Sequence, residues 1–513
     1  MLRERIVFSS MADPLTQSLG KGSIYDMKHW HRIFLLWLGI FSLTAVGARD
    51  HESSHHILWI VMDDIGRELP CYGEKSIQTP NIDRLAREGT RFDQAFLTCS
   101  VCSPSRSAMI TGMYQTTIGA HHHRSGRGTE KIRLPDKIEP VPALFQRAGY
   151  YTCNAGDPWK DKGKGMGKTD YNFEWNPKIY DDNDWSTRKK GQSFFAQIQL
   201  WGGKFRNDKG QWYRNVAPKA LGTLTNPADV KLPSYYPSDP VLIEDWAQYL
   251  DCIRFCDKQI GEILQRLETE GIIDQTLIIL MGDNGISHAR GKQFLYDEGI
   301  RTPFIVRGPG VAKGSVRSDL IEHIDMAATS LAWAGLPLPP WMQGRDVFAK
   351  DYKRRDAVFA ARDRCDETVD RIRSVRTEQF KYIRNFYPLR PLLQPNDYKD
   401  NKPTIKKIRE LHQLHKLTSE QASLLLSPTR PKEELYDVKA DPFETRNLAD
   451  DPAHQATLTS MRARLDQWIV DTRDRGAEPE SMYDSDMKVY LQRPNPAVER
   501  NIQLMKAWAR EGK

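Results

Sequence analysis

Two uninterrupted apolar runs, each cut off by acidic residues, restrict this chain more than any other feature of its sequence. Residues 57–62 read Ile-Leu-Trp-Ile-Val-Met and stop at Asp63-Asp64; residues 276–281 read Thr-Leu-Ile-Ile-Leu-Met and stop at Gly282-Asp283-Asn284-Gly285. Neither run alternates apolar with polar, so each is expected to be a strand buried on both faces, as in a parallel sheet covered by helices. A further strand is expected at 194–200, Phe-Phe-Ala-Gln-Ile-Gln-Leu. Ahead of the second run, Trp246, Tyr249, Leu250, Ile253, Ile260, Ile263, Leu264 and Leu267 recur at helical spacing and mark an amphipathic helix. Strands and helices that alternate from about residue 55 to 335 predict an α/β sheet. Ligands of such sheets collect beyond the carboxyl ends of the strands, so Asp63, Asp64, Asp283 and Asn284 are candidates to converge on one hard cation, Ca2+ or Mg2+. Each half also has a plain structural reading, Asp63-Asp64 as a helix cap and Asn284-Gly285 as a turn.

The remaining composition excludes more than it proposes. Lys plus Arg at 74 against Asp plus Glu at 67 gives a net charge of +7, too mild to call for nucleic acid but compatible with an anionic ligand. Seven scattered cysteines do not make a disulfide framework, and Cys252 and Cys256, one helical turn apart, read as packed thiols. No apolar run reaches the roughly 20 residues of a membrane span. From Lys28 and Arg32 through the apolar run 33–41 to Val46-Gly47-Ala48 the chain has the form of a secretory signal peptide starting near Met27, with a short anchor helix as the alternative. Export to a periplasmic or extracellular space is therefore expected.

Between the two strand ends lies Cys99-Ser-Val-Cys102-Ser103-Pro104-Ser105-Arg106, followed after four residues by Thr111-Gly112. Cys99 and Cys102 form a C-x-x-C, but no second pair completes a zinc site, and a buried inert Cys102 is the bland reading. The third reading is the pattern C-x-P-S-R-x-x-x-x-T-G, whose six fixed positions match by chance in a chain of this length about once in 10⁵. On that pattern the chain resembles the type I sulfatases, in which this cysteine is oxidised to formylglycine. The resemblance continues through Pro80-Asn81-Ile82-Asp83-Arg84-Leu85-Ala86 with Gly89-Thr90-Arg91-Phe92, through Gly291-Lys292, Tyr296 and Gly299-Ile300-Arg301-Thr302-Pro303, and through Glu434-Leu435-Tyr436-Asp437 with Asp441-Pro442 and Asn447-Leu448. It covers about residues 55–470, and the segments around 290–296 and after Leu232 are similar to the heparan N-sulfatase branch.

The resemblance implies an alkaline phosphatase-like α/β fold, with a large mixed, mostly parallel sheet flanked by helices and a smaller C-terminal α+β subdomain with an antiparallel sheet. The corresponding boundaries are 1–48 for the extension and signal, 49–340 for the catalytic domain and 341–513 for the C-terminal subdomain. It further implies a formylglycine nucleophile made from Cys102 by formylglycine-generating machinery, metal ligands Asp63, Asp64, Cys102, Asp283 and Asn284, Arg106 on the hydrated aldehyde, and Lys292 on a sulfate oxygen. Such a site turns over a sulfate ester of a sulfated carbohydrate, with sulfamate cleavage as the close variant. Phosphodiester or phosphonate hydrolysis and non-catalytic binding of a sulfated glycan are the rival readings.

Two departures bear on the proton donor. Lys168 in Gly167-Lys168-Thr169-Asp170 fits the family's lysine, but Asp170 stands where relatives carry histidine, and Gly203-Lys204 replaces a Pro-His. His288 is the substitute expected to protonate the leaving group, since imidazole titrates near neutrality. His122 and His123, in the run His121-His122-His123-Arg124, are equally consistent with an exposed loop or with substrate lining. In the segment 362–373, Arg362, Arg364 and Arg371 are candidates to reach anionic groups on the glycan, against a salt-bridged surface as the default.

Overall fold

A computed structural model describes residues 55–156, 166–207 and 210–513. The signal-like segment and most of the loop before Lys168 lie outside the described residues. The main sheet has seven strands, β1 (His56–Met62), β2 (Thr90–Phe92), β3 (Tyr151–Ala155), β4 (Phe194–Leu200), β5 (Thr276–Gly282), β6 (Phe304–Arg307) and β7 (Ser315–Arg317), in the spatial order β3-β4-β1-β5-β6-β2-β7. The three strands read above from the sequence, β1, β4 and β5, lie side by side as the second to fourth of that order. β1 runs parallel to both neighbours, and all three are buried along their whole length. Only β6 runs antiparallel to its neighbours, β5 and β2. The sheet is thus mixed and mostly parallel, as expected.

Two helices position the site. α1 (Cys102–Thr111) is buried at every residue, so it is a core element despite its serines, and it ends on Gly112 at φ 65°. α2 (Pro240–Thr269) is the expected amphipathic helix, started by Asp239, whose side chain accepts from the Val241 N–H at 2.9 Å, and by Pro240 in the first turn. Its buried stripe contains all eight apolar residues named above, together with the buried Cys252 and Cys256.

The second sheet is antiparallel throughout, β8 (Val358–Arg362), β9 (Ile372–Arg376), β10 (Phe380–Asn385) and β11 (Glu433–Asp437) side by side in chain order. α3 (Gln455–Asp471) lays Leu458, Met461, Leu465 and Trp468 on Val375, Tyr382 and Leu435 of this sheet. Two more helices, α4 (Glu480–Tyr490) and α5 (Pro496–Arg510), close a small core of Tyr483, Met487, Val498, Ile502 and Met505. Both sheets belong to one compact unit, Ser53–Lys513. Among the described residues no helix is long and apolar enough to cross a membrane.

Candidate active site

The register of the sheet builds the centre. Met62 pairs with Gly282, so Asp63-Asp64 and Asp283-Asn284 leave the sheet side by side. The Asp283 N–H donates to the Met62 carbonyl at 3.0 Å and the Asp64 N–H to Asp283 Oδ1 at 3.1 Å, which ties the two strand ends together. Asp64 holds a left-handed φ of 54°, a costly conformation for a residue with a side chain. Its carboxylate, with those of Asp63 and Asp283 and the Cys102 sulfur, forms a buried cluster whose ligand atoms lie within 4.8 Å of one another.

α1 delivers the other half. Cys102 opens the helix and Arg106 follows one turn later, 1% exposed. The Arg106 Nε donates to Asp283 Oδ2 at 2.9 Å, its Nη1 to Gln199 Oε1 at 2.5 Å, and its Nη2 lies 3.1 Å from Asp63 Oδ1. Lys292 Nζ stands 2.7 Å from Asp64 Oδ1 and 2.9 Å from Cys102 Sγ. Lys168 Nζ is 2.8 Å from Asp63 Oδ1 and 3.6 Å from Asp283 Oδ2.

Lys204, which sequence reasoning treated only as a missing histidine, joins this ring with Nζ 2.9 Å from Asp63 Oδ1. The two glycines before it are the signal for it. A Cβ on Gly202 would come within 2.2 Å of the Asp63 carbonyl oxygen, and one on Gly203 within 2.5 Å of that of Asp64. Only glycine lets the chain pass this close. Tyr398 was also missed; its hydroxyl donates to Asp64 Oδ2 at 3.2 Å from a segment far along the chain.

The electrostatics fit a cation. Burial works against ionising Asp63, yet Lys168, Lys204 and Arg106 hold its carboxyl well below the usual range. Burial, then the charges of Asp63 and Cys102, drive Asp283 well above it. Three carboxylates so close do not ionise together without added positive charge. Asn284 donates through Nδ2 to Asp64 Oδ1 at 2.9 Å, while its Oδ1 is buried and accepts no hydrogen bond. An orphaned buried acceptor beside three carboxylates is a hard-cation donor set, so Asp63, Asp64, Asp283 and Asn284 would hold Ca2+ or Mg2+ here. The thiol of Cys102 responds in the same way: burial raises it, but Lys168, Lys204 and Lys292 bring it down to about 5.

Cys102, Lys204 and Lys292 line a cavity of about 310 Å³ together with His123, Arg124, Asp170, Tyr398, Tyr490 and Arg493. His123 therefore shares the cavity with Cys102. Its Nδ1 lies 3.1 Å from Asp366 Oδ1, and although burial works against the charged ring, Asp366 raises its pKa well above the ordinary value.

Several expected residues are placed elsewhere. His288 does not line this cavity: it is 2% exposed, stacks on Trp246 at 4.7 Å between centroids, and presents Nε2 to Asp245 Oδ2 at 2.7 Å. Burial and the adjacent Arg206 lower its pKa to about 4, the opposite of what a proton donor needs. His122 is clustered with His121 and Asp363, off the cavity wall. Arg362 is buried against Asp370, and Arg364 against Glu478 at 2.6 Å and Asp486 at 2.7 Å. Arg371 lies over the Phe386 ring at 4.1 Å. None of these three arginines lines the cavity; Arg124 and Arg493 do. Dense alternating charge in 362–373 builds an internal ion-pair network that fixes the second sheet to α4.

A model of the sulfatase family matches residues 55–336, more than half of the chain. The chain belongs to the sulfatase family. It is accordingly a hydrolase of that family, and a second model, the N-sulphoglucosamine sulphohydrolase C-terminal region, matches residues 288–427. The chain is 32% identical over 468 residues to an ulvan-active sulfatase of Formosa agariphila, covering 83% of this chain and 76% of that protein. It is 27% identical over 472 residues to the human N-sulphoglucosamine sulphohydrolase, covering 81% and 90%. A solved structure of a protein bound to its substrate D-glucosamine-2-N,6-O-disulfate shares the fold with a TM-score of 0.58 at 20% identity, covering 85% of this chain and all of that one.

Proposed function

We propose that this sulfatase hydrolyses a sulfate ester of a sulfated carbohydrate, with Cys102 as the precursor of a formylglycine nucleophile. The observation that carries the reading is the ring of Arg106, Lys168, Lys204 and Lys292 around Cys102 and three carboxylates at one cavity. A sulfate monoester is an anion that repels nucleophiles, so its hydrolysis needs positive charge where the sulfate sits and a proton for the departing oxygen. A bound Ca2+ or Mg2+ would supply Lewis-acid polarisation there, and a hydrated formylglycine would supply two geminal hydroxyls, one to attack sulfur and one to expel sulfate. The chain's own residues do the rest. Lys292 and Lys204 bind the sulfate oxygens over Cys102. Arg106 and Lys168 hold Asp63 and Asp283 in place. His123, charged by Asp366, replaces His288 as the group that protonates the leaving oxygen when the S–O bond breaks.

A second reading, cleavage of an N-sulfate with the proton delivered to an amine, is favoured by the N-sulphoglucosamine sulphohydrolase match over 288–427. The test is a peptide mass across residues 99–106 after co-expression with formylglycine-generating machinery, together with sulfate release from O-sulfated, N-sulfated and phosphorylated sugars. Conversion of Cys102 with release from O-sulfated sugars supports the first reading. Release from N-sulfated sugars alone selects the second, preferred turnover of phosphate esters sinks both, and an unconverted Cys102 leaves a binding protein.

A further inference from the structure

The loop that follows α1 carries a second constellation of metal-ligating groups that the sulfatase chemistry does not use. One ring nitrogen each from His121 and His122 and a carboxylate oxygen of Asp363 lie within 4.8 Å of one another. All three residues are buried, at 4%, 5% and 2% exposure. His121 Nδ1, His122 Nδ1 and Asp363 Oδ1 are each enclosed and without a hydrogen-bond partner. Scattered atoms of this kind occur elsewhere in the chain, but three on one cluster of ligating residues point to a missing ligand.

The surroundings prepare these atoms as donors to a metal rather than to water or to an anion. His121 Nε2 lies 2.9 Å from the Gly476 carbonyl oxygen, which can only accept. Nε2 therefore carries the ring proton, and in the neutral ring Nδ1 keeps its lone pair, the outer-shell arrangement usual for a ligating histidine. Asp363 is oriented in the same way: its Oδ2 accepts from Arg373 Nη1 at 2.9 Å and its Oδ1 is left open. Two of the nearby guanidiniums are met by other carboxylates, Arg373 by Asp474 and Arg364 by Glu478 and Asp486. The neighbouring group His123, Cys365 and Asp366 is a contrast, because its atoms already bond one another, His123 Nδ1 to Asp366 Oδ1 at 3.1 Å and Cys365 Sγ to both partners at 3.7 Å.

We infer that His121, His122 and Asp363 form a second metal site, distinct from the strand-end carboxylate cluster, that takes a first-row transition ion of the Zn2+ class. Two imidazoles and one carboxylate suit Zn2+ and its neighbours rather than Ca2+, which takes six to eight oxygens. Tetrahedral donors about 2.0–2.1 Å from zinc sit roughly 3.3 Å apart, so the 4.8 Å spread closes with movements on the order of 1 Å. The ion would tie the loop after α1 to the segment after β8 and thereby hold His123, the next residue, against the cavity. His121, His122 and Asp363 are positioning residues in this scheme.

The full-length chain, stripped with chelator and repleted with Ca2+, is titrated with Co2+ as a spectroscopic probe and its metal content is measured. Uptake of one Co2+ per chain with ligand-field absorption, undisturbed by millimolar Ca2+, is the expected result. Asp363→Asn and His121→Gln are each expected to weaken Co2+ at least tenfold while circular dichroism stays that of the parent; two variants guard against one failing to fold. Asp63→Asn, which disables the carboxylate cluster, is expected to leave the Co2+ spectrum unchanged. No uptake, full uptake by folded Asp363→Asn and His121→Gln, or loss of the signal in Asp63→Asn or on adding Ca2+ each overturns the site.

Discussion

The strand-end cluster around Cys102 and the ion-pair network of 362–373 hold similar numbers of buried acids and bases, yet they are built on opposite terms. In the network four guanidiniums find carboxylates: Arg364 meets Glu478 and Asp486, Arg373 meets Asp363 and Asp474, and Arg362 and Arg430 share Asp370. At the strand ends the balance is unfinished, with Asn284 Oδ1 unbonded and Asp283 driven toward its neutral form by burial and by the charges of Asp63 and Cys102. Buried charge that is internally satisfied acts as structure. Buried charge that is not satisfied waits for a ligand.

The comparison breaks most visibly at Arg364. Removing one partner of a buried ion pair leaves the others uncompensated, so Arg364→Ala is expected to cost about 3–5 kcal/mol of stability. Urea unfolding reads this, and a loss under about 1 kcal/mol would mean the network is not the scaffold it looks like. Lys292→Ala is the complementary change. It withdraws positive charge beside Cys102 and Asp64, and kcat/KM for a sulfate ester is expected to fall about 10²–10³-fold, some 3–4 kcal/mol of transition-state stabilisation, in a chain that still folds. Activity within a few fold of the parent would remove Lys292 from the site.

How much of this the sequence carried depends on whether the information was local. The central strands were readable because burial on both faces leaves an unbroken apolar run, and Asp63, Asp64, Asp283 and Asn284 because they end those runs. Cys102 and Arg106 were readable from one contiguous pattern. Lys204 was signalled only by the two glycines that let the chain pass Asp63-Asp64, and Tyr398 by nothing, since it reaches Asp64 from 334 positions away. Arg364 misled for the same reason: Glu478 and Asp486, which neutralise it, lie about a hundred residues further along, just before and within a helix that the pattern of apolar residues did not announce.

His288 sharpens the comparison, because it is held by packing and an ion pair away from the cavity although it sits only five residues from Asp283. Stacked on Trp246 and bonded to Asp245, it is expected to matter for packing: His288→Asn should lower stability by about 1–3 kcal/mol and change kcat by less than tenfold. A loss of kcat of a thousandfold without a change in stability would return the proton donor to His288.

The smallest effect concerns Glu367, which lies where the two kinds of region meet. It faces the cavity, accepts from the Asp397 N–H at 2.7 Å and from Asn501 Nδ2 at 2.8 Å, and burial raises its pKa from 4.5 to about 7. The folded chain therefore holds this proton between pH 4.5 and 7 when the unfolded chain has released it. Its contribution to stability is complete below the lower value and is lost as pH rises through the upper one. Glu367→Gln has no proton to lose, so the stability of the variant relative to the parent should grow across that window by about 1–2 kcal/mol, a figure discounted for the cavity water the carboxyl faces. Thermal unfolding of both proteins from pH 4.5 to 8 checks the sign. A relative stability that stays flat would show that Glu367 is charged at all these pH values, its charge met by a cation or by Arg493 across the cavity, and would move it from the strained acids to the satisfied ones.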